Sequence, residues 1–251
     1  MLYWHSGSQL AIRPFAIHSW STQLLATTRQ VSVFDIIGPI MVGPSSSHTA
    51  GAVRLGRIAR TILGIQPDDA LIELHGSFAQ TGQGHGTHKA IVAGLLDMPA
   101  DDDRIPHSFD VAAEIGMDFR FEIVELGEDV HPNTARLTIS AGNRSAKVTG
   151  ASVGGGMVKI TNIQGYEVDF GGEYDTLLVI AEDRKGTVNA VTGWLLARNI
   201  NVAYLQVGRR KRGGQALMVV EVDDPIPAHF LDDLRDYSWV EWVRVVPKIE
   251  M

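Results

Sequence analysis

The chain has 251 residues, of which 45% are hydrophobic and 20% are charged, and its formal net charge is −7 at pH 7. This length accommodates one large domain or two modest ones. The acidic balance argues against a general nucleic-acid-binding protein, and no apolar run in the sequence approaches a membrane span. The absence of cysteine excludes disulfides, thiolate nucleophiles and thiolate-ligated metal sites in this chain alone. Because no export signal is visible, a cytoplasmic location is expected.

The first thirty residues differ from the rest. They contain Arg13 and Arg29 but no acidic residue. A transit-like peptide has this composition. An extension without its own fold is the interpretation that we favour.

Regular order is predicted from Val31, and the motif GPSSSHTAG follows at residues 43–51. The next segment predicts an amphipathic helix that ends at Gly64. Its apolar residues recur at helical spacing: Val53, Leu55, Ile58, Ile62 and Leu63. Its arginines are expected on the opposite face: Arg54, Arg57 and Arg60.

The motif at 43–51 places hydroxyl groups and one imidazole at the start of this helix. The residues concerned are Ser45, Ser46, Ser47 and His48. The first backbone N–H groups of a helix lack internal partners, so hydroxyl groups beside them favour a site for a carboxylate or phosphate. Ordinary helix capping is the alternative, although it needs only one serine.

A second motif, HGSFAQTGQGHGTHKA, occupies residues 75–90. A buried strand is expected to end at Gly76 and Ser77. A glycine-rich loop that carries Thr81 and His85 is then expected to lead into a helix. Glycines allow backbone N–H groups to approach a ligand closely. The pattern GxGxxG is absent, so the sequence does not indicate a dinucleotide site.

Two further turns are candidate site segments besides the motifs at 43–51 and 75–90. The turn HPNT, residues 131–134, contains a third histidine that can reach a ligand or a proton. The cluster SVGGGM, residues 152–157, is typical of a bulge or of a wall against which another backbone packs. We expect the four turns to converge on one site. The histidines also raise the alternative of a zinc site (His48, His85, His88 and His131), but no HExxH or comparable spacing supports it.

After a predicted third helix at 108–117, the hydrophobic period falls to two, which indicates strands at 119–126, 135–141, 145–153 and 157–163. The segment FGGEYD, residues 170–175, interrupts the pattern and indicates a domain boundary. Beyond it, strands and helices alternate in the order βαββαβ, the ferredoxin-like arrangement.

In this second half, Asp183 and Gly186 lie in a strand-to-helix turn, and Asn201 starts the next strand. Small-molecule sites occur at such turns where two copies of a domain meet. Plain turn chemistry and helix capping are the alternative.

Together, the four motifs resemble the β chain of the two-chain, iron–sulfur L-serine dehydratase, over about residues 31–249. The segment from Asp183 to Asp223 resembles an ACT domain, the regulatory module that binds amino acids. The resemblance implies an α+β fold, with a substrate-binding-like domain at 31–171 and a ferredoxin-like ACT domain at 174–251. Residues 1–30 have no counterpart in the family.

The resemblance also implies the reaction, in which L-serine gives pyruvate and ammonia. A [4Fe–4S] cluster with one open iron acts as Lewis acid on the serine hydroxyl, and a separate α chain holds it. Self-association through the ACT domain is expected. The alternative function is a stand-alone ACT-type amino-acid sensor without catalysis, which has no need of the motifs at 43–51 and 75–90.

Serine deamination needs a base, because the proton α to a carboxylate is weakly acidic. We expect His48 or His85 to act as base or acid, and the sequence does not decide between them. The expected substrate-binding residues are Ser45, Ser46, Ser47, Thr49, Ser77, Thr81, His131 and Asn133. The expected effector-binding residues are Asp183, Gly186 and Asn201. One departure concerns the family motif GHGTD, which reads GHGTH here with His88 in the acidic place.

Overall fold

A computed structural model describes residues 39–249. The extension expected at 1–30 lies outside the described residues. Residues 31–38, where regular order was predicted to begin, also lie outside them. No helix within 39–249 is long and apolar enough to cross a membrane.

The described residues form six α-helices. Their bounds are Ala52–Leu63 (α1), Gly76–His85 (α2), Thr87–Leu95 (α3), Ser108–Glu114 (α4), Thr187–Leu196 (α5) and Leu231–Arg235 (α6). A π-helical turn, Ser46–Gly51, continues directly into α1. Short 3₁₀ turns precede α4 and α6 at Ile105–His107 and Ala228–Phe230.

The first sheet has six strands in the order β2-β1-β3-β4-β5-β6. They are Asp69–Leu74 (β1), Asp118–Ile123 (β2), Thr134–Ala141 (β3), Arg144–Gly154 (β4), Met157–Ile163 (β5) and Tyr166–Phe170 (β6). The pair β1–β2 is parallel, and the other neighbours are antiparallel. The sequence did not predict β6, which lies just before the interruption at 170–175.

The second sheet is antiparallel, in the order β10-β7-β9-β8. Its strands are Asp175–Glu182 (β7), Val202–Arg209 (β8), Gln215–Val222 (β9) and Val240–Val246 (β10). With α5 and α6 they follow the order βαββαβ. The predicted α+β class, with a ferredoxin-like second half, is therefore confirmed.

Strand β7 of the second sheet is buried on both of its faces. Leu177 and Val179 pack in the core beneath α5 and α6. Leu178 and Ile180, which alternate with them along β7, belong to the core of the first half. Because successive strand residues point to opposite faces, one apolar strand contributes to two cores.

Helices α1 and α3 cross at two glycines. A Cβ atom on Gly56 would lie 2.9 Å from the Cα of Gly94, and the reverse substitution would meet the Cα of Gly56 at the same distance. Side chains are therefore excluded at the crossing, and the two backbones pack directly. The C-terminus of α1 is as predicted, since Gly64 ends it with a left-handed φ of 83°.

Two expectations from the sequence are wrong. The glycine-rich segment after Ser77 is not a loop but the helix α2, which Phe78 anchors in the core with no exposed surface. Tertiary packing here outweighs the low helix propensity of glycine. Arg54 does not share the exposed face of Arg57, because it is 5% exposed and donates from Nη1 to the backbone oxygen of Gly156 at 2.5 Å.

Candidate active site

The π-helical turn before α1 holds the first group of polar side chains. Ser45 caps the turn, since its hydroxyl accepts a hydrogen bond from the backbone N–H of His48 at 3.2 Å. Its backbone oxygen accepts another from the N–H of Thr49 at 2.8 Å. π-Helical turns are rare and occur frequently at functional sites. The capping function expected of one serine is thus present, and the remaining polar groups are surplus to it.

His48 is surrounded by hydroxyl groups on both sides of its ring. Its Nδ1 lies 3.2 Å from Ser47 Oγ and 3.5 Å from Ser45 Oγ. Its Nε2 lies 3.1 Å from Thr81 Oγ1 and 3.3 Å from Ser77 Oγ. We call His48 and these four residues the hydroxyl cage. The motifs at 43–51 and 75–90 therefore meet at one imidazole.

The second half of the hydroxyl cage comes from α2. Ser77 and Thr81 are four residues apart, so they occupy one face of the helix, and Thr81 also donates to the Ser77 backbone oxygen at 2.9 Å. His85 continues the same face one turn later, with its ring centroid 4.9 Å from that of His48. A flexible loop would not align these three side chains, whereas a helix does so by its period.

The surroundings of His48 favour the neutral imidazole. Burial lowers the pKa of His48, the positive charge on nearby His85 lowers it further, and a hydrogen bond with the backbone of Ser77 opposes them. The ring of Phe78 meets the imidazole edge-on, with centroids 5.3 Å apart. No carboxylate is among the described hydrogen-bond or ion-pair partners of His48. A neutral ring in this setting is suited to accept a proton.

The HPNT turn supports the site. The backbone oxygen of Pro132 accepts from the N–H of Phe78 at 3.3 Å, and Gly76 is packed so closely on Pro132 that a Cβ would lie 2.7 Å from it. His131 accepts from the N–H of Asn133, whose own side chain donates to the Ser152 backbone oxygen at 3.4 Å. His131 and Asn133 thus connect the start of α2 to β4, and neither is hydrogen-bonded to the hydroxyl cage.

Two other predicted residues lie outside the hydroxyl cage. Thr49 is 2% exposed, packs against Gly43, and its hydroxyl has no hydrogen-bond partner among the described residues. Ser46 is half-buried in the π-helical turn, and no side-chain hydrogen bond joins it to residues 39–249.

The glycine cluster SVGGGM forms the hairpin between β4 and β5. The register shifts there, and both alternatives raised by the sequence are present, namely a bulge and a packing wall. Gly51 of the π-helical turn is pressed against the side chain of Ser152. Arg54 reaches Gly156 from α1. Arg54 and Phe78 are supporting residues that sequence analysis missed, because a helical arginine and a phenylalanine in a glycine-rich segment carry no signal of their own.

His88, which departs from the family motif, lies in the first turn of α3. Its ring packs edge-on against Phe121, with centroids 4.4 Å apart, and against Gly82. Burial lowers the pKa of His88. No group of three or more His, Cys, Asp or Glu within residues 39–249 is arranged to hold a metal ion, so the zinc alternative has no support in the described part of the chain.

The predicted effector residues lie apart from this site, in the second half. Asp183 accepts hydrogen bonds from Arg209 Nη1 at 3.0 Å and from the N–H of Gly213 at 2.9 Å. Gly186 precedes α5 with a left-handed φ of 95°. Asn201 donates to Asp223 at 2.6 Å. Two of the three residues therefore already have side-chain partners within the chain.

Comparison with known proteins gives two family matches. A family profile described as "Serine dehydratase beta chain" matches residues 32–115, and one described as "ACT domain" matches residues 176–238. The first match contains the whole hydroxyl cage, and the second contains all the predicted effector residues.

Individual relatives include two beta chains of L-serine dehydratase. The probable L-serine dehydratase, beta chain, of Bacillus subtilis (strain 168) is 46% identical over 203 residues, which is 81% of this chain and 92% of the relative. The L-serine dehydratase, beta chain, of Peptoniphilus asaccharolyticus is 40% identical over 196 residues, or 78% of this chain and 88% of the relative. A D-3-phosphoglycerate dehydrogenase of Methanocaldococcus jannaschii is 28% identical over 119 residues, or 47% of this chain and 22% of that protein.

Proposed function

Because this chain belongs to the family of serine dehydratase beta chains, we propose that it is the beta subunit of an L-serine ammonia-lyase, which converts L-serine to pyruvate and ammonia with a partner α chain. The observation that carries this proposal is the hydroxyl cage, where a buried imidazole receives polar groups from two distant motifs. A sensor that binds amino acids only in its ACT half has no need of such a site.

The roles of the residues follow from chemistry and position. Hydroxyl groups of Ser45, Ser47, Ser77 and Thr81 can donate hydrogen bonds to the serine carboxylate. The reaction removes the α-proton of serine and expels its hydroxyl group, so it needs both a proton acceptor and a proton donor. His48 is buried and its pKa is lowered, and His85 is exposed beside it. We assign proton transfer to this pair of histidines.

The iron–sulfur cluster implied by the family does not fit this chain alone. Such a cluster is held by cysteine thiolates, and the sequence contains no cysteine. The donor set of residues 39–249 also offers no metal-binding group of three. We therefore assign a [4Fe–4S] cluster to the partner α chain, where it would supply Lewis-acid chemistry at the serine hydroxyl.

The second half is proposed as a regulatory ACT domain, residues 174–251, that follows a domain at 31–171. The division is supported by the two sheets, which end and begin at Phe170 and Asp175. Self-association is supported by β8, which lies at one of the two edges of its sheet. Three large apolar or aromatic side chains of that strand are exposed: Tyr204, Leu205 and Val207. We propose that two copies pair along β8 and bind a small amino acid near the 183–186 turn.

The test is anaerobic co-expression with the candidate α chain, followed by an assay for pyruvate. We expect the purified beta chain alone to be colourless and inactive, and the complex to be coloured and to produce pyruvate from L-serine. Iron–sulfur absorbance in the beta chain alone, after anaerobic reconstitution, would overturn the two-chain assignment. An inactive complex with an intact cluster would favour the stand-alone sensor.

A further inference from the structure

Two loops of the second half are joined at one end of its sheet. The first, residues 182–186, connects β7 to α5, and the second, residues 209–214, connects β8 to β9. The backbone N–H of Asp183 donates to the oxygen of Gly214 at 2.8 Å, and its carboxylate accepts from Arg209 and Gly213. We call these two segments the basic loop pair.

The basic loop pair concentrates positive charge in an acidic chain. It contains six of the 22 lysines and arginines of a chain whose net charge is −7. Two of the six are matched by acids of the same loops, through the ion pairs Arg209–Asp183 at 3.0 Å and Arg184–Glu182 at 3.7 Å. The other four have no ion pair with a described residue: Lys185, Arg210, Lys211 and Arg212.

The carboxylate of the first loop is already engaged within the chain. Asp183 precedes the helix start by four residues in the sequence, and its carboxylate accepts from two groups of the second loop. The backbone N–H of Gly213 and the guanidinium of Arg209 hold the pKa of Asp183 below its usual range. Its charge therefore fixes the second loop and is not available as a vacant anionic site.

Donors for an anion are plentiful at the same place. Helix α5 begins after Gly186, and no side chain caps its first N–H groups. These groups favour a carboxylate or phosphate. Arg210 stacks on the ring of Tyr166 in β6, 4.6 Å from its centroid, which holds its guanidinium against the first sheet. Lys211 and Arg212 belong to the loop that Asp183 holds beside this helix start. Neither forms an ion pair within residues 39–249, although the charge of Arg212 also helps to keep the pKa of Asp183 low.

We propose that the basic loop pair makes the second half selective for an anionic amino acid, in which a phosphate or second carboxylate on the side chain contacts Lys211 and Arg212. This proposal rests on the proposed effector role of the ACT domain and specifies its ligand class. Asp183 is then a positioning residue, because it holds the two loops together instead of contacting the ligand's ammonium.

Isothermal titration calorimetry on the full chain tests this with O-phospho-L-serine, L-aspartate, L-serine and inorganic phosphate as probes. We expect one of the two anionic amino acids to bind about tenfold or more tightly than L-serine, which is the ratio that one charge-assisted hydrogen bond supports. The stronger of the two identifies phosphate or carboxylate as the recognised group. The preference should decline at high ionic strength, because exposed charges are screened.

The variant Lys211→Ala/Arg212→Ala should remove this preference while affinity for L-serine stays within about twofold, because the lost contacts are to the anionic group alone. The matched control is Arg144→Ala/Lys147→Ala, which removes two exposed cations from β4 and should leave the preference intact. L-Serine binding without any preference for the anionic amino acids would overturn the inference but not the effector role. No binding of any amino acid would overturn both. Inorganic phosphate binding as tightly as O-phospho-L-serine would overturn the amino-acid class.

Discussion

The chemistry of His48 depends on side-chain hydrogen-bond partners that are polar but uncharged. A carboxylate beside an imidazole stabilises the protonated ring, whereas a hydroxyl group serves either ring form. The cage supplies hydroxyls only, so burial and the charge of nearby His85 lower the pKa of His48. A lowered pKa keeps a larger share of the His48 ring in the neutral form, which can accept a proton, than an ordinary histidine has at the same pH.

The first prediction concerns His48→Ala in the reconstituted α–β complex. We expect kcat/KM for L-serine to fall by roughly 10²–10⁴, the usual contribution of a general acid or base. The melting temperature should remain near that of the wild type. His107→Ala is the control, because its side chain is 73% exposed on the surface turn before α4. Normal turnover of His48→Ala with an intact cluster would leave the π-helical turn a structural cap.

The second prediction uses Glu221 on β9. Burial and the negative charges of Glu173 and Asp169 raise the pKa of Glu221 to about 7, from an ordinary value of 4.5. Between these two values the folded chain retains a proton that the unfolded chain releases, so the free energy of unfolding falls as pH rises through this window. Glu221→Gln should therefore raise the melting temperature at pH 8 and leave it unchanged at pH 4.

Thermal unfolding followed by circular dichroism at both pH values provides the measurement. Glu122→Gln, on the exposed side of edge strand β2, is the control and should change neither value. Equal stabilisation by Glu221→Gln at pH 4 and pH 8 would show that packing, and not ionisation, is responsible.

At the level of single residues, the sequence predicted which groups would meet and not how each would be used. Ser45, Ser47, Ser77 and Thr81, which were expected to bind substrate, all lie within hydrogen-bond distance of His48. Thr49 and Ser46 have the same chemistry but face elsewhere. A motif specifies composition, and the direction of each side chain depends on the helical phase, which a π-helical turn alters. The roles of these residues stay predictions.

Among the elements, α2 shows where sequence analysis is weakest. Three glycines between Gly82 and Gly86 indicate a loop by propensity alone. The helix forms because Phe78 is buried and because the backbone of Phe78 bonds to Pro132, two contacts made with distant parts of the chain. The strands of the first sheet were more predictable, since their alternating pattern is local.

The third prediction concerns the contact between the π-helical turn and β4. A methyl group on Gly51 would overlap the side chain of Ser152, which is completely buried. Gly51→Ala should therefore lower the free energy of unfolding by about 1–3 kcal/mol, the usual cost of overpacking. Ser152→Gly should restore most of the loss, and Ser152→Ala only part, because its Cβ would still lie 2.6 Å from the new methyl.

Urea unfolding of the single and double variants measures this coupling. Strictly additive changes in the free energy of unfolding would contradict the contact, because residues in direct contact are expected to show an interaction energy. Activity of the rescued double variant in the α–β complex would then show whether the position of His48 is restored with stability.

At the scale of the molecule, the two halves share apolar surface. Leu178, Ile180 and Val219 of the second sheet lie in the core of the first half. Helix α1 also meets β10, where Arg244 Nη2 approaches the backbone oxygen of Leu63 at 3.5 Å. The continuous apolar run of β7 in the sequence indicates burial of that strand on both faces. It could not show which surface covers the second face.

The fourth prediction follows for a chain that ends at residue 173. Removal of the second sheet exposes the apolar residues of the first core that it covers, so we expect the fragment to bind a hydrophobic dye such as ANS and to melt at a lower temperature or without cooperativity. The full chain is the control. A fragment with the melting temperature of the full chain and no dye binding would show that the first half is stable by itself.

The crossing of α1 and α3 also limits how this sequence can change over generations. At Gly56 and Gly94 a new side chain would meet backbone atoms of the opposite helix, and no second substitution can remove those atoms. At a neighbouring apolar position, a larger side chain can be accommodated by a smaller one across the contact. Gly56 and Gly94 face backbone, so a larger residue at either position has no such compensation. In a lineage that retains this helix crossing, the pair is expected to remain unchanged while the surfaces around it diverge.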